Sequence, residues 1–149
     1  MSGLNGIGLV VEDHPSQPIE WDNALPILHE IRHGLHRLSG GGEPTLIDLH
    51  ALPFGPGDEE RLLELLGRGE VEADIDALGP TRVWETAFPG VWLVDHRNAQ
   101  GERLALHIEI ASVPEILRSQ SEDIADALTR LDACIAAGAG APNPPPTNA

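Results

Sequence analysis

Apolar positions recur along this chain in two rhythms, a helical one near both ends and an alternating one between them. Leu28, Ile31, Leu35 and Leu38 follow one another at three- and four-residue spacing, which lays one apolar stripe along a helix running to about Ser39. Asp22 or Asn23 can cap its start, Pro26 is tolerated in the first turn, and Gly40-Gly41-Gly42 ends it. Thr45 to Leu49 reads as a short buried strand. Asp58 to Leu66 reads as a short acidic-to-basic helix closed by Gly67 and Gly69. The rhythm then shortens to two. Val71, Ala73 and Ile75 alternate with Glu72, Asp74 and Asp76, and Thr81 to Phe88 and Val91 to His96 flank Pro89-Gly90. Arg97 to Gly101 suits a hairpin loop, after which Leu104, Leu106, Ile108 and Ile110 alternate with Ala105, His107 and Glu109.

A last helix is expected over about 114–136, with Leu117, Ile124, Leu128, Leu131 and Ile135 as its stripe. Ser112 and Ser119 each stand three residues before a glutamate, Glu115 and Glu122, so two capping boxes and a break between two segments are open readings. Consecutive hairpin-linked strands pair mainly antiparallel. The expected fold is α+β, a mainly antiparallel twisted sheet of about four to five strands with helices packed on one face. Residues 1–21 form an N-terminal arm in which Ile7 to Val11 can pair as an edge strand. Residues 22–137 form the domain, and 138–149 are too poor in apolar side chains to order themselves.

Charge and composition narrow the function classes. Nine basic against 24 acidic side chains give a net charge of −15, a field that repels phosphate backbones and anionic membrane surfaces and favours a cationic partner. No apolar run approaches the roughly 20 residues that span a bilayer. The N-terminus has no basic segment followed by an apolar one, so it does not read as a secretory signal, and the cytoplasm is the expected compartment. One cysteine, Cys134, excludes an internal disulfide or a cysteine-rich metal site, and no resident cofactor is expected. Near a helix C-terminus, that thiol is not activated as a nucleophile.

The sharpest motif is His29-Glu30-Ile31-Arg32-His33. Histidines at i and i+4 share a helix face, and in zinc proteases they hold the metal while the glutamate acts as general base. His36, one turn on, offers a third nitrogen. Yet Ile31 belongs to the apolar stripe, and the histidines fall on or beside the polar face with Glu30, Arg32 and Arg37. The longer pattern, with a further histidine after a glycine turn, is missing. A solvated face is the favoured reading, with no metal ligands and no enzyme activity. A metal-binding or metal-dependent hydrolytic protein using His29, Glu30 and His33 is the alternative.

Three of the chain's five aromatic residues lie within Trp84-Glu85-Thr86-Ala87-Phe88-Pro89-Gly90-Val91-Trp92. Trp84, Thr86 and Phe88 share one strand face by parity, and Pro89-Gly90 suits a tight turn. Rings clustered in this way either fill a core or anchor a partner. The expected partner-binding residues are therefore Trp84, Glu85, Thr86, Phe88, Pro89, Gly90 and Trp92, together with His29, Glu30 and His33.

Four segments, in order, resemble the C-terminal conserved domain of HupH/HyaF-type hydrogenase expression proteins. They are Asn23 to His33, Glu43 to Leu49, Glu85 to Trp92 with His96-Arg97-Asn98, and Val113 to Leu117 with Glu122-Asp123-Ile124. Members of that family are longer than this chain. The resemblance implies a chaperone-like accessory role in maturing uptake nickel–iron hydrogenases. Its implied client is the hydrogenase small subunit, with other hydrogenase accessory proteins as further partners. Such small-subunit precursors carry a twin-arginine export signal, which an acidic partner would attract. A homodimer through an exposed strand or the last helix is a further architecture the pattern allows.

Overall fold

The computed structural model describes residues 23–138, so the expected N-terminal arm, the edge strand expected at Ile7–Val11 and the tail beyond Gly138 lie outside the described residues. The chain divides into two compact units, Met1–Ser112 and Val113–Ala149.

In the first unit the order is α1 (Ala24–Ser39), β1 (Thr45–Asp48), α2 (Asp58–Leu66), β2 (Glu72–Asp76), β3 (Pro80–Glu85), β4 (Val91–Arg97) and β5 (Arg103–Ile110). The five strands form one sheet in the order β1-β5-β4-β3-β2, and every pairing is antiparallel. This is the expected α+β sheet. Ile108 lies opposite both Ile47 and Leu93, Ile110 opposite Val91, and Leu93 opposite Trp84. Cross-strand partners share a face. That face meets Ala24, Ile27 and Ile31 of α1 and Leu62 and Leu66 of α2 to form the buried core. By strand alternation Val83, Trp92 and Val94 lie on the opposite face, where they too are buried.

Several boundaries differ from expectation. β3 ends at Glu85, before Thr86 to Phe88, because that stretch folds into the turn leading to β4. β2 begins at Glu72, which leaves Val71 exposed. Leu104 is 61% exposed although it keeps the parity of Leu106, because the β4–β5 ladder slips at His96/Arg97 just before the strands end. Asn23 precedes α1, but its side chain caps no helix N–H; its amide donates to Asp58 Oδ2 at 2.8 Å and ties α1 to the start of α2.

In the second unit the expected long helix is broken. Glu115–Leu117 form a single 3₁₀ turn, and α3 spans Ser121–Ala136. Neither serine caps: Pro114 and Gln120 hold the two cap positions, with no side-chain cap bond at either. No residue of α3 is buried.

A candidate partner-binding groove

The groove begins with the breadth of the apolar arc on α1. The side chains of this helix that enter the core are Ala24, Ile27 and Ile31, and Gly34 lies flush against the sheet. A Cβ at Gly34 would meet Ile110 Cδ1 at 2.6 Å and Thr45 Oγ1 at 3.2 Å, so glycine lets the helix sit this close. Leu28 and Leu35 are rotated off that line, and they and Leu38 are only partly buried. Of the expected stripe, Ile31 enters the core and Leu38 follows Gly34 on the same line, while Leu28 and Leu35 form its flank.

That flank lines an open groove of about 230 Å³, bounded by Leu28, Ile31, Arg32, Leu35, Leu66 and Phe88. Arg32 supplies its one charged side chain. Pockets that enclose small molecules run to roughly 300–1,000 Å³ with several converging polar groups. This one has the size and lining for one or two apolar side chains of a partner.

Phe88 reaches the groove because the β3–β4 turn is pinned from both sides. The Thr86 N–H donates to Val91 O at 2.9 Å and the Val91 N–H to Phe88 O at 3.0 Å. The Thr86 hydroxyl, itself buried, accepts from the Phe88 N–H at 3.1 Å and donates to Phe88 O at 3.2 Å. Gly90 holds φ +90, a left-handed conformation that side-chain-bearing residues resist. The end of α2 is tied to the same turn, with the Ala87 N–H on Leu66 O at 2.8 Å and the Gly69 N–H on Glu85 O at 2.8 Å. Phe88, held this way, keeps 48% of its surface exposed.

The expected partner-binding residues of this segment thus separate by burial. Trp84 is buried in the core beneath the Arg68 guanidinium, which lies 4.5 Å from its ring centroid. Trp92 is buried on the other face, its indole N–H donating to Ala111 O at 3.0 Å. Thr86 is spent on the turn, Glu85 and Gly90 are half-buried, and Phe88 and Pro89 face solvent. Of the three rings, Phe88 alone is available to a partner.

His29, Glu30 and His33 are exposed on α1. Arg32, His33, His36 and Arg37 line a shallow hollow beside the groove, where two guanidiniums oppose a metal cation. Among the described residues no group of three or more histidine, cysteine, aspartate or glutamate side chains is placed to hold a metal. That side of α1 is a locally basic surface on an acidic chain.

Two polar clusters escaped the sequence reading. Asp95, 5% exposed, accepts from Arg103 Nε at 3.1 Å and Arg97 Nε at 3.1 Å, and Arg103 also bonds Glu59 of α2 at 2.6 Å. Burial pulls the Arg103 pKa down, but Asp95 and Glu59 more than offset it and hold it above the usual arginine value. On the opposite sheet face, the Thr81 hydroxyl lies 3.1 Å from His96 Nδ1, and the His96 ring meets His107 edge-on at 5.6 Å. Asp95–Arg103, Thr81–His96 and His96–His107 are cross-strand contacts, legible only once the register is known.

The relatives place this geometry in a family. The chain matches the model for the C-terminal conserved region of the HupH hydrogenase expression protein over residues 22–137. The hydrogenase expression/formation protein HoxQ of Azotobacter vinelandii is 33% identical over 114 residues, covering 73% of this chain and 39% of the relative. The hydrogenase expression/formation protein HupH of Rhodobacter capsulatus is 32% identical over 91 residues, covering 61% of this chain and 33% of the relative. The hydrogenase-1 operon protein HyaF of Escherichia coli is 28% identical over 109 residues, covering 73% of this chain and 38% of the relative. This chain therefore spans 33–39% of the length of these three proteins. Among solved structures, the hydrogenase expression protein HupH of Thiobacillus denitrificans superposes with a TM-score of 0.73 at 48% identity, covering 77% of this chain and 96% of that one. With the family model spanning the α1 groove and the Phe88 turn alike, the chain belongs to the HupH hydrogenase expression protein family, by way of that family's C-terminal conserved region.

Proposed function

We propose that this domain serves the maturation of a nickel–iron hydrogenase by holding the small subunit in the groove between α1, α2 and the Phe88 turn. It acts as a binding protein, not an enzyme, in the cytoplasm, before the client is exported. The observation that carries this reading is a half-exposed Phe88 over an apolar groove of about 230 Å³, inside the stretch shared with hydrogenase expression proteins. A rigid aromatic beside an apolar slot is the usual form of a binding hot spot.

Local charge refines the fit. Arg32 and its neighbours His33, His36 and Arg37 make the groove rim basic, so an apolar client segment with acidic flanks suits it. A basic export signal would find its complement elsewhere, along edge strand β2 with Glu72, Asp74 and Asp76. Glu72 and Asp74 are already shared with Arg82 at 2.5 and 3.5 Å, which weakens that attraction.

Co-purification with a tagged small subunit tests the proposal. Phe88→Ala and Leu35→Glu should each reduce the captured client at least about tenfold, since truncating a hot spot costs roughly 2 kcal/mol or more. Capture that survives both substitutions removes the groove from the function.

A further inference from the structure

We infer that α3 is a self-association helix that pairs antiparallel with α3 of a second copy of this chain. The apolar side chains of this helix, Ile124, Leu128, Leu131 and Ile135, are 58–63% exposed. They follow one another at intervals of four, three and four residues, the seam spacing of a two-helix coiled coil. The seam is also a palindrome, Ile-Leu-Leu-Ile, read the same from either end. A twofold axis perpendicular to the helix at its midpoint sets Ile124 against Ile135 of the second copy and Leu128 against its Leu131. Self-complementarity under a twofold axis is the requirement of an isologous interface.

The flanks favour the same occupant. Ala125, Ala127, Asp132 and Cys134 border the seam, so three of the four are small and uncharged and let two backbones approach closely. In the antiparallel register Asp132 faces Ala125 of the other copy, and no like charges meet. Glu122, Asp123, Asp126 and Arg130 lie on the back of the helix, where they select no charged partner. A parallel pair would set each seam residue against its own copy and make no use of the palindrome.

One face of a 16-residue helix buries less than the roughly 1,200 Å² of a standard interface, so the dimer is weak and forms only as the concentration is raised. The net charge of −15 on each copy opposes approach. Salt should therefore strengthen this dimer by screening that repulsion, the opposite of its effect on a pair of oppositely charged partners.

Sedimentation of the full chain across a concentration series tests the inference. The wild-type mass should rise toward twice the monomer mass, and further when salt is raised from about 0.05 to 0.5 M. Leu128→Glu, at a position exposed in the single chain, should hold it monomeric, while Arg130→Ala on the back should change nothing. The register is read by thiol cross-linking in a Cys134→Ser background. Ile124→Cys mixed with Ile135→Cys should give the mixed dimer, and neither variant alone should cross-link. A chain monomeric at every concentration, a dimer that survives Leu128→Glu, or cross-linking of Ile124→Cys to itself overturns the inference.

Discussion

The Asn23 amide reaches across 35 positions of sequence to Asp58, and the Gly55 N–H donates to the same carboxylate oxygen at 2.7 Å. Those two donors, Asn23 first, hold the Asp58 carboxyl below its ordinary value of 3.8. The folded chain therefore binds fewer protons than the unfolded chain between the lowered value and the ordinary one. The stabilisation is complete above the ordinary value and is lost as pH falls through the lowered one. Asp58→Asn should flatten that part of the acid limb in denaturant titrations carried down from about pH 5, and Asn23→Ala should shift it toward the variant's behaviour. An unchanged acid limb in Asp58→Asn would show that this tie carries no pH dependence. Leu78 offers a test of opposite sign. It sits fully exposed in the β2–β3 turn at φ +59, a left-handed conformation costing roughly 1 kcal/mol in a residue that is neither glycine nor asparagine. Leu78→Asn should raise the thermal midpoint by a few degrees, about 1 kcal/mol.

At the scale of elements, the sheet was legible and the groove was not. Alternation anticipates β2 and β5, because a strand with one buried face repeats with period two whatever it packs against. β3 and β4, buried on both faces in part, were placed by the Pro89-Gly90 turn between them. α1 shows the limit of such reading. Its apolar residues cover an arc wider than the sheet can bury, and only packing decides that Ala24, Ile27 and Ile31 enter the core while Leu28 and Leu35 border a groove. Trp84 and Trp92 were ambiguous for a related reason, since parity assigns them faces but cannot show that both faces bury them. Their burial yields predictions that separate scaffold from site. Trp92→Phe leaves the buried Ala111 carbonyl without its donor and should cost about 1–3 kcal/mol of stability while leaving client capture intact. Gly69→Ala would drive a Cβ to 2.5 Å from Thr86 O, a backbone atom that cannot swing away. It should cost about 1–3 kcal/mol and weaken capture only through the displaced Phe88 turn. Chemical denaturation checks both costs.

Across the whole molecule, acidic side chains dominate, yet they are not spread evenly. Edge strand β2 alternates Glu72, Asp74 and Asp76 outward, a pattern that discourages pairing with another sheet, while the groove side of α1 carries Arg32, His33, His36 and Arg37. A client approaching this protein meets a repelling or attracting edge according to its own charge, and one basic, apolar-floored groove. Among the described residues no helix is long and apolar enough to cross a membrane. Phe88 and the α1 groove are where we propose that the hydrogenase small subunit is held. The most direct test is the equilibrium affinity of purified small subunit for the wild-type chain and for Phe88→Ala, measured by titration alongside their thermal midpoints. The affinity should fall at least about tenfold with the midpoint nearly unchanged, because Phe88 is half-exposed and outside the core. Equal affinities for the two proteins would contradict it.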